Sequence, residues 1–373
     1  MKAFDTVPDQ RLTNVLQYYG FQNPLLSWIK AFLCNRRQRV VVNGTTSSWF
    51  DVKSGIPQGS VLGPVLFVIY INTMVERVKD SEVYLYADDM KIFREVNSVE
   101  DCHKLQGDLD NLFDWTKESL LKFHPDKCIS MRLGSGKRKT YLPAHTYNMN
   151  NVPLTHSHAE KDLGVIIDSE LNFDSHITSK INKANSVAGL IRRTMQFLDA
   201  DSFRLLFTAL VRPHLEYANS VWNPHLKKHI TAIENVQRRA TKFVPGLSKL
   251  PYKERLQKVK LPTLSYRRYR GDMIEVFKIT HGLYDESVST ELLVKQHSIT
   301  RGHPYSLYKR HCRLDLRKYS FCNRVVDQWN VLPEHVVNVD TVMSFERALD
   351  KLWMGTDVMY CPETNLFERQ LEK

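Results

Sequence analysis

Apolar positions along the chain follow two kinds of spacing, and the balance between them changes near residue 170. Before that point, helical stripes alternate with short strand-like runs. Leu12, Val15, Leu16 and Tyr19 share one face of a helix beginning near Gln10. Gly20 interrupts it, and Pro24 starts a second helix through Trp28 and Phe32. Phe4-Asp5-Thr6-Val7-Pro8 reads as the end of a strand entering a turn. Val40-Val41-Val42 and Trp49-Phe50 flank Asn43-Gly44, which predicts a hairpin. Ser60 caps a helix from Val61 to about Val75, where Pro64 falls in the first turn and displaces no helical hydrogen bond. Val83-Tyr84-Leu85 and Ile92-Phe93 predict paired strands around Asp88-Asp89. An amphipathic helix follows on Leu105, Leu109, Leu112, Phe113 and Trp115, then a strand from Ile129 to Leu133 and a hairpin around Leu163 to Asp168.

Beyond that point the spacing is mostly helical. Ile177, Ile181, Ala184, Ala188, Ile191 and Met195 form one stripe, with Lys180, Lys183, Arg192 and Arg193 outside it. Helices are expected over Phe203 to Tyr217 and Ile230 to Val244. In the latter, Ile233, Val236, Ala240 and Phe243 point inward and Gln237, Arg238, Arg239 and Lys242 form a basic cluster. The pattern predicts an α+β chain in three parts. Residues 1–170 form a mixed antiparallel sheet packed on helices, 171–245 a helical domain, and 246–373 a mostly helical C-terminal region whose fold the pattern leaves open.

At 373 residues with 42% hydrophobic positions, the chain can bury two or three cores. Lys and Arg number 52 against 41 acids, a net charge of +11 that favours a polyanionic partner; a merely solvated basic surface is the alternative. Tyr266-Arg267-Arg268-Tyr269-Arg270 interleaves rings and cations as stacking on bases would require. Six cysteines show no CxxC pair, which suits reduced thiols in an intracellular protein. Cys312 and Cys322 lie near His303 and His311, but their spacing fits no zinc finger or knuckle. The apolar run from Val61 to Ile71 falls short of the ~18 residues a membrane span needs, and Met1 to Asp5 lacks a signal-peptide layout. A soluble protein of nucleus or cytoplasm is expected.

Two stretches carry chemistry. Asp88 and Asp89 are neighbours between apolar strands, where like charges repel and lose hydration; a divalent cation would reverse that penalty. A turn with two solvated acids is the plainer alternative. In Ser54-Gly55-Ile56-Pro57-Gln58-Gly59-Ser60 the glycines let backbone approach a ligand closely, although a plain loop entering a core helix needs many of the same residues.

In order along the chain, Ala3-Phe4-Asp5-Thr6-Val7-Pro8, Ser54 through Pro64, and Tyr86-Ala87-Asp88-Asp89 resemble three successive palm motifs of reverse transcriptases, closest to non-LTR retrotransposons of the jockey-like and chicken-repeat-like clades. Phe123 through Cys128 is similar to the strand-turn carrying that family's later palm lysine, and Lys161-Asp162-Leu163-Gly164-Val165 to its primer-grip hairpin. Leu210 through Tyr217 and Asn235 through Ala240 are similar to its C-terminal region.

The resemblance implies a palm followed by a helical thumb, and RNA-directed addition of deoxynucleotides to a primer 3′-hydroxyl. It implies Mg2+ or Mn2+ as cofactor, with an RNA template, a DNA primer and deoxynucleoside triphosphates as partners. Asp88 and Asp89 match the metal-binding carboxylates and Lys127 a proton donor to pyrophosphate. Phe4 matches the ring beneath the sugar, and Gln58 with Gly59 the nucleotide contact. Leu163, Gly164, Lys183, Arg192, Arg193, Arg238 and Arg239 are expected on nucleic acid. Asp5 lies outside the metal sphere; the family's first catalytic carboxylate would precede Met1, as would fingers and an endonuclease. An amino-terminally truncated, inactive copy is therefore expected, with a non-catalytic nucleic-acid-binding remnant as the alternative.

Overall fold

The computed structural model describes residues 3–121, 123–124, 127–134, 145–285, 287, 289–290, 292–295, 302–354 and 359–361. The chain divides into two compact units, one ending at Ala159 and one beginning at Glu160. The second takes in the hairpin β11 (Ala159–Asp162) and β12 (Val165–Asp168), because Val165 belongs to its core.

Among the described residues, the first unit is built on four α-helices: α1 (Asp9–Tyr18), α2 (Leu25–Leu33), α3 (Leu62–Asn72) and α4 (Val99–Ser119). Their apolar stripes meet in one core of Leu12, Leu16, Ile29, Leu33, Phe67, Tyr70, Leu112 and Trp115. Two polar side chains close it: Trp115 Nε1 donates to Thr73 Oγ1 at 2.9 Å and the Tyr70 hydroxyl to the Ser119 carbonyl at 2.5 Å. Burial raises the Tyr70 hydroxyl to about 12. α4 starts earlier than its stripe suggests, because Ser98 and Asp101 form a reciprocal capping box. Ser60 Oγ accepts the Gly63 N–H at 3.0 Å, as expected of a cap for α3.

Among the described residues, the single mixed sheet expected here does not form. The strands of both units pair two by two: β1 (Arg36–Gln38) with β4 (Phe50–Val52), β2 (Val41–Val42) with β3 (Thr45–Thr46), and β5 (Glu82–Tyr86) with β6 (Asp89–Phe93). The remaining pairs are β7 (Ile129–Ser130) with β10 (Thr155–His156), parallel, β8 (Asn148–Met149) with β9 (Val152–Pro153), and β11 with β12. In the β5–β6 pair, Leu85, Met90 and Ile92 pack against the helical core, while Tyr84, Tyr86 and Phe93 are exposed. The opening stretch also departs from expectation: Ala3–Thr6 is a 3-10 turn rather than a strand. Its carbonyls at Phe4 and Val7 accept from Ile56 (2.9 Å) and Gly55 (2.8 Å), a three-residue offset that a turn meets and an alternating strand does not.

The second unit is helical after its hairpin: α5 (Asp174–Thr194), α6 (Ala200–Leu206), α7 (Pro213–Glu216), α8 (Asn219–Trp222), α9 (Lys227–Ala240), α10 (Tyr252–Val259) and α11 (Leu264–Thr280). Among the described residues, five helices follow: α12 (Asp315–Lys318), α13 (Phe321–Arg324), α14 (Val326–Asn330), α15 (Glu334–Val337) and α16 (Val342–Trp353). The continuous helix expected over Phe203 to Tyr217 is broken. A π turn occupies Phe207–Val211 before Pro213, which has no N–H to continue the ladder. Two apolar cores result, one around Ile191, Phe207, Trp222 and Val236, the other around Phe277, Trp329, Phe345 and Trp353. α11 joins them, with Leu264 in the first and Tyr266 onward in the second.

Polar side chains fill the seam. Asp272 is 2% exposed and accepts from Arg324 (3.0 Å), Asn219 (3.1 Å) and Asn223 (3.0 Å). Glu234, equally buried, accepts from the Tyr252 hydroxyl at 2.6 Å and the Leu264 N–H at 3.0 Å, at the start of α11. Burial pushes both carboxyls above their ordinary range, against the pull of these donors. The run Tyr266 to Arg270 is spent here rather than offered to bases. Arg267 pairs with Glu216 at 2.5 and 2.9 Å, Arg270 with Asp350 at 2.6 and 2.9 Å, and Arg268 is buried. Consecutive residues point all round a helix, and this helix is packed on both sides.

Candidate active site

Asp88 and Asp89 occupy the end of the β5–β6 hairpin. Tyr86 pairs with Asp89 across a two-residue loop, Ala87-Asp88, so Asp88 lies at the tip and Asp89 opens the return strand. Ala87 is held at φ 52, a left-handed conformation that costs a residue with a Cβ about 1 kcal/mol or more. Strain of this kind concentrates where function requires a fixed backbone. Nothing in the apolar pattern pointed to it, although an alanine at the first position of a tight hairpin was the available signal. Both acids are exposed, which corrects the expectation of a desolvated pair. The alternation that buries Leu85, Met90 and Ile92 turns Asp89 outward with Tyr84, Tyr86 and Phe93.

The second element is the docking of the opening turn on the loop before α3. Gly55, at φ 93, lies so close to Asp5 that an added Cβ would stand 2.7 Å from its Cα. Ser54 Oγ donates to the Asp5 carbonyl at 3.1 Å, and Gln58 Nε2 donates to Asp5 Oδ1 at 2.8 Å. Arg36 fastens the loop from below through the carbonyls of Gly55 and Leu33 and an ion pair with Asp9 at 3.6 Å. Burial lifts the Asp9 carboxyl above its usual range, and Arg36 opposes that rise. Phe4 stacks on Phe67 with ring centroids 4.1 Å apart and is half-buried. Phe4, Asp5 and Gln58 are therefore brought together, and Gly59, at φ 82, stays open beside them. The role of Asp5 as the anchor of Gln58 was not legible in the sequence. Lys127 is exposed, with its N–H donating to the His124 carbonyl at 2.9 Å.

Metal binding can be tested on the donor set. Among the described residues no group of three or more His, Cys, Asp or Glu could hold a metal, which also removes the Cys312, Cys322, His303 and His311 grouping. Asp88 and Asp89 provide two adjacent, solvent-facing carboxylates. That suits Mg2+, which often takes one or two protein carboxylates and completes its shell with water and substrate phosphates.

In the second unit, the β11–β12 turn has Leu163 at φ 41 and Gly164 at φ 88. Tyr217 covers it, its hydroxyl donating to the Leu163 carbonyl at 2.8 Å, and a Cβ on Gly164 would lie 3.2 Å from its ring. Lys180 lies over the same ring at 5.9 Å. Burial lowers the Lys180 ammonium and the His214 imidazole, and neighbouring cations lower them further: Lys161 acts on Lys180, and Lys180 with Lys183 on His214. A positive cluster thus surrounds the turn, joining Leu163 and Gly164 to Lys183. Lys161 adds to it, while His214 lies among these cations with its imidazole held toward the neutral form; the helical stripe could reveal neither.

The remaining cations divide. Arg193 is exposed, Arg192 stacks over Phe243 at 5.3 Å, and Arg239 donates to Asn185 at 3.1 Å. Arg238 lies over Tyr252 at 5.0 Å and is half-buried, while Gln237 is buried on the Pro262 carbonyl at 2.9 Å. The basic cluster expected on α9 therefore reduces to Arg239 and Lys242 at the surface.

Residues 1–167 match the family described as reverse transcriptase (RNA-dependent DNA polymerase). That stretch is a reverse transcriptase domain. The chain is 30% identical over 237 residues to the RNA-directed DNA polymerase from mobile element jockey of Drosophila funebris, covering 60% of this chain and 25% of that protein. It is 28% identical over 233 residues to the jockey polymerase of Drosophila melanogaster, 58% of this chain and 25% of the relative. It is 25% identical over 256 residues to the probable RNA-directed DNA polymerase from transposon BS of the same fly, 65% and 28% respectively. The chain thus matches about a quarter of the length of these relatives. The reverse transcriptase domain accounts for the first unit, and the alignments with the relatives run on past it. Among the described residues, no helix is long and apolar enough to cross a membrane.

Proposed function

We propose that this chain serves RNA-directed DNA polymerisation in a non-LTR retrotransposon, adding deoxynucleotides to a DNA primer on an RNA template. The observation that carries the reading is the exposed Asp88-Asp89 tip within a reverse transcriptase domain, held by a strained Ala87. Asp88 and Asp89 would hold Mg2+ or Mn2+, which when bound steadies the attacking and leaving oxygens of phosphoryl transfer. Phe4, buttressed by Phe67, forms the floor under the deoxyribose. Gln58, aimed by Asp5, and the open backbone at Gly59 meet the nucleotide or its template base. Lys127 delivers a proton to departing pyrophosphate.

Residues up to about 170 act as the palm, 171–245 as a thumb, and 246–373 as a C-terminal region that supports nucleic acid. Leu163 and Gly164 with Lys183 hold the primer strand, and Arg192, Arg193 and Arg239 face phosphates, with Arg238 the least available of the set. The test is cation binding: Mn2+ titrated into the chain and followed by its paramagnetic signal, with and without a deoxynucleoside triphosphate. The reading expects binding that tightens with the nucleotide and is lost in Asp88→Asn. Binding unchanged by that substitution would reject the assignment of the pair.

A further inference from the structure

Every residue from 37 to 51 is exposed, between Leu33 and Ile56, which are both in the core. The two short strand pairs in this stretch are one ribbon. Arg36, Arg37 and Gln38 pair with Val52, Asp51 and Phe50, and Val41 and Val42 with Thr46 and Thr45. Val40 and Ser47 bridge the gap through two contacts of 2.9 Å. The register shifts by one between these segments, so Arg39 stands opposite both Ser48 and Trp49. That is a β-bulge, a device that re-aims side chains. Its product is a stack: Arg39 lies 4.7 Å and Arg37 5.9 Å from the Trp49 ring centroid. Asn43 (φ 48) and Gly44 (φ 80) close the tip.

A two-stranded ribbon with both faces in water is marginal alone. This one is clamped only at its root, where Arg36 binds the carbonyls of Leu33 and Gly55 beside the loop that carries Gln58. Beyond the clamp its charges are Arg37 and Arg39 against the single Asp51. Trp49 is 53% and Phe50 61% exposed. A second copy of the ribbon would bring the same surplus of positive charge and be repelled, whereas a polyanion with free aromatic faces satisfies both the cations and the rings.

We infer that the ribbon Arg36 to Val52 is a binding arm for single-stranded nucleic acid. Arg37 and Arg39 engage phosphates, and Trp49 and Phe50 stack on unpaired bases next to the Gln58 loop. The inference rests on the polymerase reading for the identity of the strand, but its residues lie outside every group assigned there.

The test is anisotropy of a labelled 20-nucleotide single-stranded RNA with the full chain at several KCl concentrations. Three proteins are compared: parent, Arg37→Gln with Arg39→Gln, and Trp49→Leu. None of these positions is in a core, so thermal unfolding should match the parent. The arginine pair should flatten the salt dependence by about 1.4 in log–log slope, two phosphates at ~0.7 each for a single strand. Trp49→Leu should weaken single-stranded RNA fivefold or more at every salt and leave a duplex of equal length unaffected. If the parent binds and both variants bind as it does, the arm is overturned while the nucleic-acid reading stands. Equal loss on the duplex overturns the stacking role. No binding by the parent at low salt overturns both readings. Dissociation of a parent dimer by Trp49→Leu at unchanged RNA affinity assigns the ribbon to a second copy and overturns the inference.

Discussion

Protonation of His176 should cost the second unit stability. The ring is fully buried in the first turn of α5, with Nδ1 accepting the Ile166 N–H at 3.0 Å and its face against Trp222 at 5.1 Å. Nδ1 is therefore the unprotonated nitrogen, and Nε2 is buried with no protein partner. Burial, with Lys180 adding repulsion, lowers its pKa from 6.5 to about 4. Because the folded value lies below the unfolded one, the unfolded chain binds a proton in that window and the folded chain does not. Stability is thus fully present above pH 6.5, declines as pH falls through the window, and loses nothing more from this group below about 4. The gap at ~1.4 kcal/mol per pH unit amounts to about 3 kcal/mol. Urea unfolding followed by tryptophan fluorescence at pH 7.5 and 4.5 measures it against His176→Asn, which keeps an acceptor near Nδ1 but cannot titrate. Carboxylates titrate in both proteins, so the difference between their pH losses isolates His176. Equal losses in the two would show that His176 contributes nothing to the pH dependence.

Two other substitutions test how each unit is held. Gly55→Ala places a Cβ against Asp5 backbone at a φ of 93, so the opening turn must lift from the Gln58 loop. A cost of about 1–3 kcal/mol should lower the melting temperature of the first unit by several degrees, and an unchanged melting temperature would contradict the docking. Asp272→Leu leaves Arg324 unpaired at the seam between the two cores and should cost ~3–5 kcal/mol in urea unfolding, much of it recovered in Asp272→Leu with Arg324→Met. A single substitution as stable as the parent would mean that the network does not tie the cores together.

Local elements were legible where one residue type dictates one conformation. Asn43-Gly44 announced its turn because both positions need positive φ, and the stripes on α1, α4, α5 and α9 announced their buried faces. The Asp88-Asp89 hairpin was placed correctly, but its solvation was not, since facing depends on which alternate residues meet the core. Tertiary pairing was hidden altogether. Tyr266 to Arg270 looks like a base-stacking run until Glu216 and Asp350, distant in sequence, close on its arginines. Likewise, only the folded chain shows Asp5 holding Gln58, or Tyr217 sealing the Leu163-Gly164 turn.

Asp88 and Asp89 are proposed to hold the metal of an RNA-directed DNA polymerase, an assignment that catalysis itself can check. Its most direct test is extension of a labelled DNA primer on an RNA template with deoxynucleoside triphosphates and Mg2+. The enzyme should be the polypeptide of the whole reading frame that contains these residues, assayed beside its Asp88→Asn variant. Loss of one such carboxylate removes several kcal/mol of transition-state stabilisation, at ~1.4 kcal/mol per tenfold. Templated extension should fall at least a hundredfold in the variant. Extension at the parental rate in Asp88→Asn would contradict the assignment.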